Sequence, residues 1–326
     1  MNRPPENAVR VDAEALNAFV GGVFERAGVP PAQAAFLADL LVANDLRGVF
    51  SHGTRQVAAY VGHFREGRLN PAPEARVADE SPATLVVEGD GGLGYFAAHR
   101  AAGLLGPKAL EIGVAAALTR DHGHIGAAGI YARVPLEHGL FCFVTSGHQL
   151  GLKPGQSVLH AAGGSPMAFA LPTGEEPPFV LDFGAMHDLY PGAEHVDEII
   201  ALAPGTVFRA LGLGAVCQAL GGFLAGVPLD PERAERRWPG ADQGSFLIAV
   251  DLARFFPLDA FKAEMDAYAQ AVRRMEPLPG FEHARLAGAP EWEQEATYRN
   301  EGIPVAPQHA AALRTLADDF GVSAPL

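Results

Sequence analysis

The stretch Thr84-Leu85-Val86-Val87-Glu88-Gly89-Asp90-Gly91-Gly92-Leu93-Gly94 decides the class of fold. It joins a short β-type run to a segment, Tyr95 to Ile112, that has helical character. Its glycines match the pattern G-x-G-x-x-G, which in a Rossmann fold lets the backbone approach a pyrophosphate at a helix N-terminus. The turn therefore either binds a dinucleotide or only connects a strand to a helix.

Two features of the surrounding sequence favour the simple connection. A largely helical sequence precedes the turn, whereas a Rossmann turn opens the first βαβ unit. The acid expected about 20 residues after the turn has Glu111 as its best match, and that residue lies inside the predicted helix. The chain also has 38 glycines, so a chance match is expected. We predict a plain strand-to-helix turn in a fold that is not of the Rossmann type.

Towards the N-terminus from this turn, apolar residues recur at helical spacing. We predict helices over 11–27, 30–44 and 54–66, which together form a helical N-terminal cap. Towards the C-terminus, short apolar runs bounded by glycine, proline or charge indicate buried strands at 114–118, 140–145, 167–171, 179–181 and 246–250. Helices are predicted at 208–224, 258–275 and 309–320. Strands that interleave with helices indicate an α/β fold.

We expect three regions along the chain. Residues 1–75 form a helical region that packs with the C-terminal region, 76–250 form a central α/β region that carries cofactor and substrate, and 251–326 form a C-terminal helical region. The 48% of hydrophobic residues suffices for a sizeable core.

The formal charge of −14 disfavours non-specific binding to nucleic acid or to an anionic membrane. The N-terminal residues lack the apolar stretch of a signal peptide, and no uncharged apolar run of about 18 residues suggests a membrane span. Cys142 and Cys217 each lie in an apolar run, as small core residues do. We therefore expect a cytoplasmic protein.

The first polar cluster joins two predicted helices and runs from Asp45 to Arg55. Ser51 and His52 lie between Arg47 and Arg55, and paired arginines favour an anion such as a carboxylate. A purely structural alternative is that Ser51 only caps the next helix.

The second cluster runs from Arg120 to Tyr131 and follows the predicted strand 114–118. An imidazole at a strand's carboxyl end, such as that of His124, can give or take a hydroxyl proton while a hydride leaves the adjacent carbon. His122 and His124 could instead bind a metal ion, but no partner motif completes such a site, and we predict no metal.

The third cluster contains Ser146 and His148, followed by the glycine-rich stretches Lys153-Pro154-Gly155-Gln156 and Gly163-Gly164-Ser165-Pro166-Met167. Such loops present backbone N–H groups to phosphates or carboxylates. Ordinary turn chemistry explains each stretch equally well when it is taken alone.

Taken in chain order, these segments resemble the malate/L-lactate dehydrogenase family that is distinct from the Rossmann lactate dehydrogenases and includes sulfolactate and ureidoglycolate dehydrogenases and piperideine-2-carboxylate reductases. The resemblance covers nearly the whole chain. Its segments are Ser51-His52-Gly53, Tyr60 with Gly67 and Asn70-Pro71, His124-Ile125-Gly126-Ala127-Ala128-Gly129-Ile130-Tyr131, Gly164-Ser165-Pro166 with Pro172, Leu181-Asp182, Gln243-Gly244-Ser245-Phe246 with Ala249, and Glu301-Gly302-Ile303.

The resemblance implies a sulfolactate-dehydrogenase-like α/β fold with a mixed, largely antiparallel sheet, a homodimer, and NAD or NADP as cofactor. It implies that His124, His52 and Ser51 are catalytic. The substrate-binding residues would be Arg55, Arg47, Tyr60, His148 and His187. The cofactor-binding residues would be Ser146, Asp182, Arg209 and a turn at Pro290-Glu291.

The chain also departs from the family pattern. Gln56 stands where the family usually has an arginine, and Ser165 replaces an asparagine before proline. A Gly-Gly-x-Lys-Gly loop that helps to hold the cofactor is missing, with Arg209 at the lysine position. The segment between Asp182 and Arg209 is shortened and carries His187-Asp188, which is either a substrate contact or a surface turn.

Three functions are compatible with these patterns. The first is an oxidoreductase that transfers a hydride between NAD(P) and a small 2-hydroxy, 2-oxo or cyclic imino acid. The second is a cofactor-free descendant that binds a small carboxylate or catalyses proton transfer or a lyase step. The third, which the sequence favours least, is a metal-dependent hydrolase that uses Asp121, His122 and His124.

Overall fold

A computed structural model describes residues 4–326 of the chain. The helices are α1 (Ala13–Arg26), α2 (Pro31–Leu46), α3 (Val57–Arg65), α4 (Gly94–Ile112), α5 (Gly129–Ala132), α6 (Val196–Leu202), α7 (Pro204–Cys217), α8 (Leu258–Arg273), α9 (Ala289–Glu301) and α10 (Pro307–Phe320). The strands are β1 (Val9–Val11), β2 (Arg76–Glu80), β3 (Thr84–Glu88), β4 (Val114–His122), β5 (Phe141–His148), β6 (Pro166–Leu171), β7 (Phe179–Gly184), β8 (Gln243–Val250) and β9 (Ile303–Val305).

Contacts divide the described chain into two compact units. Unit 1 combines the residues up to Pro73 with Val272–Leu326, and unit 2 spans Glu74–Ala271. The predicted N-terminal region starts at residues 1–3, which lie outside the described residues.

Unit 1 is helical, with one small ribbon. The side chain of Asp12 accepts a hydrogen bond from the backbone N–H of Ala15 and so caps α1, while Pro31 occupies the first position of α2. The apolar residues that predicted α1, among them Leu16 and Phe19, are buried. Strand β1 pairs antiparallel with β9 and ties the N-terminal segment to the C-terminal one. The three N-terminal helices are confirmed, whereas this ribbon was not predicted.

Unit 2 contains a seven-stranded sheet in the order β2-β3-β4-β8-β5-β6-β7. Neighbouring strands run antiparallel except for β3 and β4, which are parallel. The predicted mixed, largely antiparallel sheet is therefore confirmed. Helix α4 connects the two parallel strands, and its buried face contains small residues such as Ala98 and Ala101.

Two strands end together at one edge of this sheet. Strand β8 lies between β4 and β5 and is antiparallel to both, so β4 and β5 run in the same direction. Ser245 of β8 pairs with Thr119 on one side and with Ser146 on the other. The carboxyl ends of β4 and β5 therefore lie at the same edge, and they carry the second and third polar clusters.

Several segments predicted as loops or turns belong to regular elements. Strand β4 extends through His122, β5 through His148 and β7 beyond Asp182. Pro290-Glu291 is not a turn but lies in the first turn of α9. The Phe208–Leu213 stretch, which takes the place of the family's glycine-lysine loop, lies inside α7.

Helix α7 continues into a π-helical segment, Gln218–Phe223. The combined helix Pro204–Phe223 has 20 residues with a mean hydropathy of 1.3, and 33% of its most apolar window is buried. By length and composition this helix could cross a membrane, but the core helix of a globular protein meets the same criterion.

Candidate functional site

The second polar cluster surrounds His124, which lies two residues after the end of β4 and is half-buried. The next residues are small and buried, and the hydroxyl of buried Tyr131 donates a hydrogen bond to the backbone carbonyl of Ile125. The backbone N–H of Gly129 donates to the carboxylate of Asp182 at 2.8 Å. The segment after His124 is thus fixed at both ends, which leaves the imidazole on a rigid support.

His122, two residues earlier, has a different environment because it is fully buried. Burial lowers the pKa of this imidazole to about 4, and the hydrogen bond to the Gly123 carbonyl only partly opposes that shift. The ring is therefore neutral near pH 7. Among residues 4–326, no three histidine, cysteine, aspartate or glutamate side chains cluster so as to hold a metal ion.

The glycine turn between β3 and α4 makes contacts that differ from those of a phosphate-binding turn. Backbone N–H groups of Gly89, Gly91 and Gly94 donate to the carbonyls of Arg120, Asp121 and His124, respectively. Gly91 also packs against the Trp238 ring so closely that no Cβ fits between them. With these donors already used, the turn lacks the open N–H groups that a pyrophosphate needs.

The third cluster lies on the neighbouring end of β5. Ser146 is buried, and its hydroxyl donates to the Gly244 carbonyl at 2.7 Å. The side chain of Gln218, in the π-helical segment, bonds both the backbone N–H and the carbonyl of His148. Burial lowers the pKa of the His148 imidazole, and the charge of Asp242 partly opposes that shift. A π-helical segment at such a place is frequently a functional feature.

Two further predicted site residues of unit 2 are exposed. Arg209 lies on α7, close to Gly205. The side chain of His187 is 77% exposed, and its Nε2 lies 3.6 Å from the carboxylate of Asp188. His187 lies in the loop after β7, whose last residue, Gly184, pairs with Pro166 at the sheet edge where β4 and β5 also end.

In unit 1, the first cluster forms two short 3₁₀ turns, Phe50–His52 and Thr54–Gln56, between α2 and α3. The Ser51 hydroxyl lies 2.9 Å from Nδ1 of His52. The Asn44 amide donates to the His52 carbonyl at 2.9 Å, and the Gln56 amide donates to the Ser51 carbonyl at 2.6 Å. Gln56, which departs from the family pattern, therefore shapes this segment rather than supplying a charge.

A buried carboxyl group stabilises the same segment. Asp45 accepts hydrogen bonds from the backbone N–H and the hydroxyl of Thr54, at 3.0 and 2.5 Å. Its other oxygen, Oδ1, has no hydrogen-bond partner and lies against Gly53. Burial raises the pKa of Asp45 to about 7, although the Thr54 hydrogen bonds and the charge of Arg55 act in the opposite direction.

The Thr54 hydroxyl also contacts Nε2 of His309, on α10, at 3.3 Å. Burial, assisted by the positive charge of Arg55, lowers the pKa of His309 to about 4, so this ring is neutral. Sequence patterns did not predict that Asp45, Thr54 and His309 form one hydrogen-bonded group. Asp45 and Thr54 lay within the first cluster, but no local signal connects His309 to it.

The two arginines of the first cluster have different environments. Nε of Arg47 lies 2.9 Å from the carboxylate of Glu295 on α9, which also pairs with Arg299 at 2.5 Å. Although burial raises the pKa of Glu295, the two arginines hold it below its usual range. Arg55 is exposed, and no ion pair within residues 4–326 holds it. Of the two, Arg55 is the more available to a ligand.

The remaining predicted residues of unit 1 are Tyr60, Pro290 and Glu291. Tyr60 is buried on α3. Glu291 lies in the first turn of α9, and its Oε2 atom is buried without a hydrogen-bond partner in the described chain. A ligand with a hydrogen-bond donor group would satisfy such a buried carboxylate oxygen.

Comparison with known proteins assigns the family. The model of the malate/L-lactate dehydrogenase family matches residues 11–186 and 193–314. The malate dehydrogenase of Pyrococcus horikoshii is 28% identical over 97% of both chains. Its solved structure superimposes with a TM-score of 0.82 over 99% of both chains, at 26% identity.

Two further relatives carry other substrate names. The L-sulfolactate dehydrogenase of Methanocaldococcus jannaschii is 25% identical over 98% of this chain and 97% of its own. The ureidoglycolate dehydrogenase (NAD(+)) of Escherichia coli O157:H7 is 23% identical over 91% of this chain and 93% of its own.

Because the family model covers most of the chain, the protein belongs to the malate/L-lactate dehydrogenase family. The gap between the two matched segments, residues 187–192, includes the exposed His187-Asp188 pair. That pair is therefore a local feature of this chain.

Proposed function

We propose that this enzyme transfers a hydride between NAD or NADP and the C2 atom of a small 2-hydroxy or 2-oxo acid, or of a cyclic imino acid. Membership of a dehydrogenase family makes it an oxidoreductase. The relatives named above act on hydroxy acids, and the name of one specifies NAD(+). When bound, the nicotinamide ring supplies or accepts the hydride.

The observation that carries the proposal is the place of His124. Its imidazole follows the end of β4, at the sheet edge where β5 also ends, on a segment held by hydrogen bonds at Gly94 and Gly129. Imidazoles titrate near neutral pH, so His124 can hold the proton that the substrate oxygen gains on reduction and loses on oxidation. We propose it as the catalytic acid and base.

We propose that the Ser51–His52 segment of unit 1 binds the substrate, with Arg55 as the carboxylate partner. Arg55 is exposed and keeps its guanidinium donors, whereas Arg47 is bound to Glu295. The direct hydrogen bond between Ser51 and His52 fixes the orientation of both side chains. Tyr60, a further proposed substrate-binding residue, is buried on α3, the helix that follows this segment.

The residues fit a nicotinamide cofactor in two respects. Buried Oε2 of Glu291 offers an acceptor to an amide or ribose hydroxyl, which resolves its lack of a partner. Arg209, exposed on α7, offers a positive charge to a phosphate. Ser146 and Asp182 already hold backbone groups, so we propose that they shape the cofactor site through Gly244 and Gly129.

We propose that the protein is a cytoplasmic homodimer that needs neither nucleic acid nor membrane. Its exposed apolar side chains support a second copy as partner, and several of them lie on or beside α7. The most exposed ones there are Leu202 (86%), Phe208 (74%), Leu224 (55%) and Val216 (49%). An apolar surface of this kind suits a permanent protein interface.

The test is a coupled measurement of activity and binding on the purified chain. The enzyme is mixed with NADH or NADPH and with oxaloacetate, pyruvate or a cyclic imino acid. We expect the absorbance of the reduced nicotinamide to fall as the cofactor is oxidised. Thermal-shift titration is expected to show stabilisation by one reduced nicotinamide. Stabilisation by carboxylates alone, without oxidation of either cofactor, would instead support a cofactor-free descendant, for which the helical Phe208–Leu213 stretch is the structural argument.

A further inference from the structure

The proposed function uses the glycine turn between β3 and α4 only through Gly94, yet four hydrogen bonds join the turn to the backbone from Arg120 to His124. Gly89 and Gly91 donate to the carbonyls of Arg120 and Asp121, at 2.9 and 3.0 Å. Gly94 donates to the His124 carbonyl at 3.0 Å, and Gly92 accepts from the Gly123 N–H at 2.8 Å. Hydrogen bonds therefore connect the turn to the backbone at successive positions, from the end of β4 to His124.

The same turn contacts the side chain of His122 directly. A Cβ atom on Gly89 would lie 2.7 Å from Cβ of His122, and one on Gly94 would lie 2.6 Å from its Nδ1. Real Cβ atoms do not approach other atoms so closely. Glycine is therefore required at both positions because the backbone of the turn touches the His122 ring.

Below the ring, a chain of hydrogen bonds leads back into the sheet. Nδ1 of His122 lies 2.7 Å from the Gly123 carbonyl, and Nε2 lies 2.7 Å from the Thr119 hydroxyl. The Thr119 hydroxyl also bonds the Ser245 hydroxyl and accepts from the Ser245 N–H at 3.1 Å. All three side chains are fully buried.

The direction of every proton in this chain follows from its ends. A carbonyl only accepts, so Nδ1 of His122 carries the proton and donates to Gly123. In the neutral ring Nε2 then accepts, so Thr119 donates to it. Because Thr119 has a single proton, Ser245 donates to Thr119.

We propose that Ser245, Thr119 and His122, with the Gly89–Gly94 turn, form a positioning device that sets the location of the His124 imidazole. None of these residues touches the substrate in this scheme. They hold the Gly123 carbonyl and the backbone of His124. Loss of one of these hydrogen bonds is therefore expected to displace the His124 imidazole without removing it. This inference rests on the proposed role of His124.

The first test compares threonine variants by steady-state kinetics with NADH or NADPH and the best 2-oxo acid of the panel. Thr119→Val is expected to lower kcat about tenfold and to leave KM within about twofold, because misplacement of an acid or base affects the transition state. Thr119→Ser keeps the hydroxyl and is expected to restore most of the lost kcat. Thr173→Val is the matched control, since it removes a hydroxyl that bonds the Glu176 carbonyl in the β6–β7 connection.

Nitrogen chemical shifts of the His122 ring test the device independently of activity. The expected result is a ring protonated at Nδ1 and not at Nε2 in the wild type. A ring protonated at Nε2, or a Thr119→Val enzyme with the same kcat as Thr173→Val, would overturn the inference. If Thr119→Val does not fold, Ser245→Ala removes the next link, and an unchanged kcat in that variant would overturn it as well.

The His124→Ala variant distinguishes a failure of the positioning device from a failure of the proposed catalytic role of His124. If it loses activity while Thr119→Val and Ser245→Ala do not, the positioning device is wrong and the proposed function stands. If it keeps wild-type kcat, the role of His124 is wrong and the device falls with it.

Discussion

At the scale of single residues, the Ser51–His52 segment depends on the buried carboxyl group of Asp45. Asp45 has hydrogen bonds to one oxygen and none to the other. Its pKa of about 7 lies far above the usual value of 3.8 for an aspartate, mainly because burial disfavours the charged form. Asp45 therefore changes its charge in the pH range in which the enzyme is expected to work.

The first prediction concerns this carboxyl group. A group whose pKa is raised on folding stabilises the fold below its unfolded pKa, and that contribution is lost as pH rises through its folded pKa. Between pH 4 and pH 8 the wild type should therefore lose up to about 4 kcal/mol of unfolding free energy relative to Asp45→Asn. Urea unfolding of both proteins at a series of pH values measures this difference.

The unfolding free energy of the wild type must be compared with that of Asp45→Asn at each pH, because other groups titrate in the same pH range. His122 and His309 have lowered pKa values, so their contribution to stability is present above pH 6.5 and declines as pH falls towards 4. Asp39→Asn is the control, because Asp39 is exposed on the same helix. Parallel pH curves for the wild type and Asp45→Asn would contradict the account.

Local patterns identified the segments that we propose to carry chemistry, but not the long-range contacts that shape these segments. Ser51, His52 and His124 were found because polar side chains interrupt apolar runs at element ends. The contact of His309 with Thr54 spans 255 positions of the chain. The ion pair of Arg47 with Glu295 spans 248 positions, and sequence periodicity contains no information on either contact.

At the scale of elements, helices and strands with strong apolar periodicity were predicted within a few residues, as α1, α4 and β8 show. Elements with a weak or very short apolar pattern were missed, including β2, β9 and α9. Strand ends were also placed too early, because polar residues such as His122 and His148 continue the ladder beside β8. Hydrogen bonding to a neighbouring strand overrides side-chain polarity there.

The second prediction uses two glycines of α7 that differ only in their neighbours. Gly212 is exposed with nothing near its missing Cβ, so Gly212→Ala is expected to raise the unfolding free energy by about 0.5–1 kcal/mol. Gly214 packs on the 162–165 loop, where a Cβ would lie 2.7 Å from Oγ of Ser165 and 2.9 Å from Cα of Ala162. Gly214→Ala is expected to cost about 1–3 kcal/mol.

Thermal or urea unfolding of the two variants tests whether α7 lies against that loop. Equal effects of the two substitutions would show that the helix packs differently. The pair is informative because both alanines have the same helix propensity.

At the scale of the whole molecule, the fold class was accessible because the glycine turn could be rejected as a dinucleotide site. Its position behind a helical N-terminal segment argued against a Rossmann unit, and the sheet order confirms that conclusion. The position of β8 between β4 and β5 could not be predicted, because strand order depends on long-range pairing that the sequence does not encode locally.

The third prediction concerns the proposed homodimer. Phe208→Glu places a charge on a side chain that is 74% exposed on α7, and it is expected to shift the protein towards monomers in sedimentation experiments. Leu104→Glu is the control on α4, where Arg100 and Lys108 lie one turn away on either side. A wild-type protein that is monomeric at micromolar concentration would contradict the proposal.

The most direct test of the central claim is the turnover of His124→Ala in the NAD(P)H-dependent reduction, together with its thermal stabilisation by the same cofactor. The account predicts that kcat falls by roughly two to four orders of magnitude, while the stabilisation by cofactor stays within error of the wild-type value. Turnover at the wild-type rate would contradict the assignment of His124 as the proton donor and acceptor.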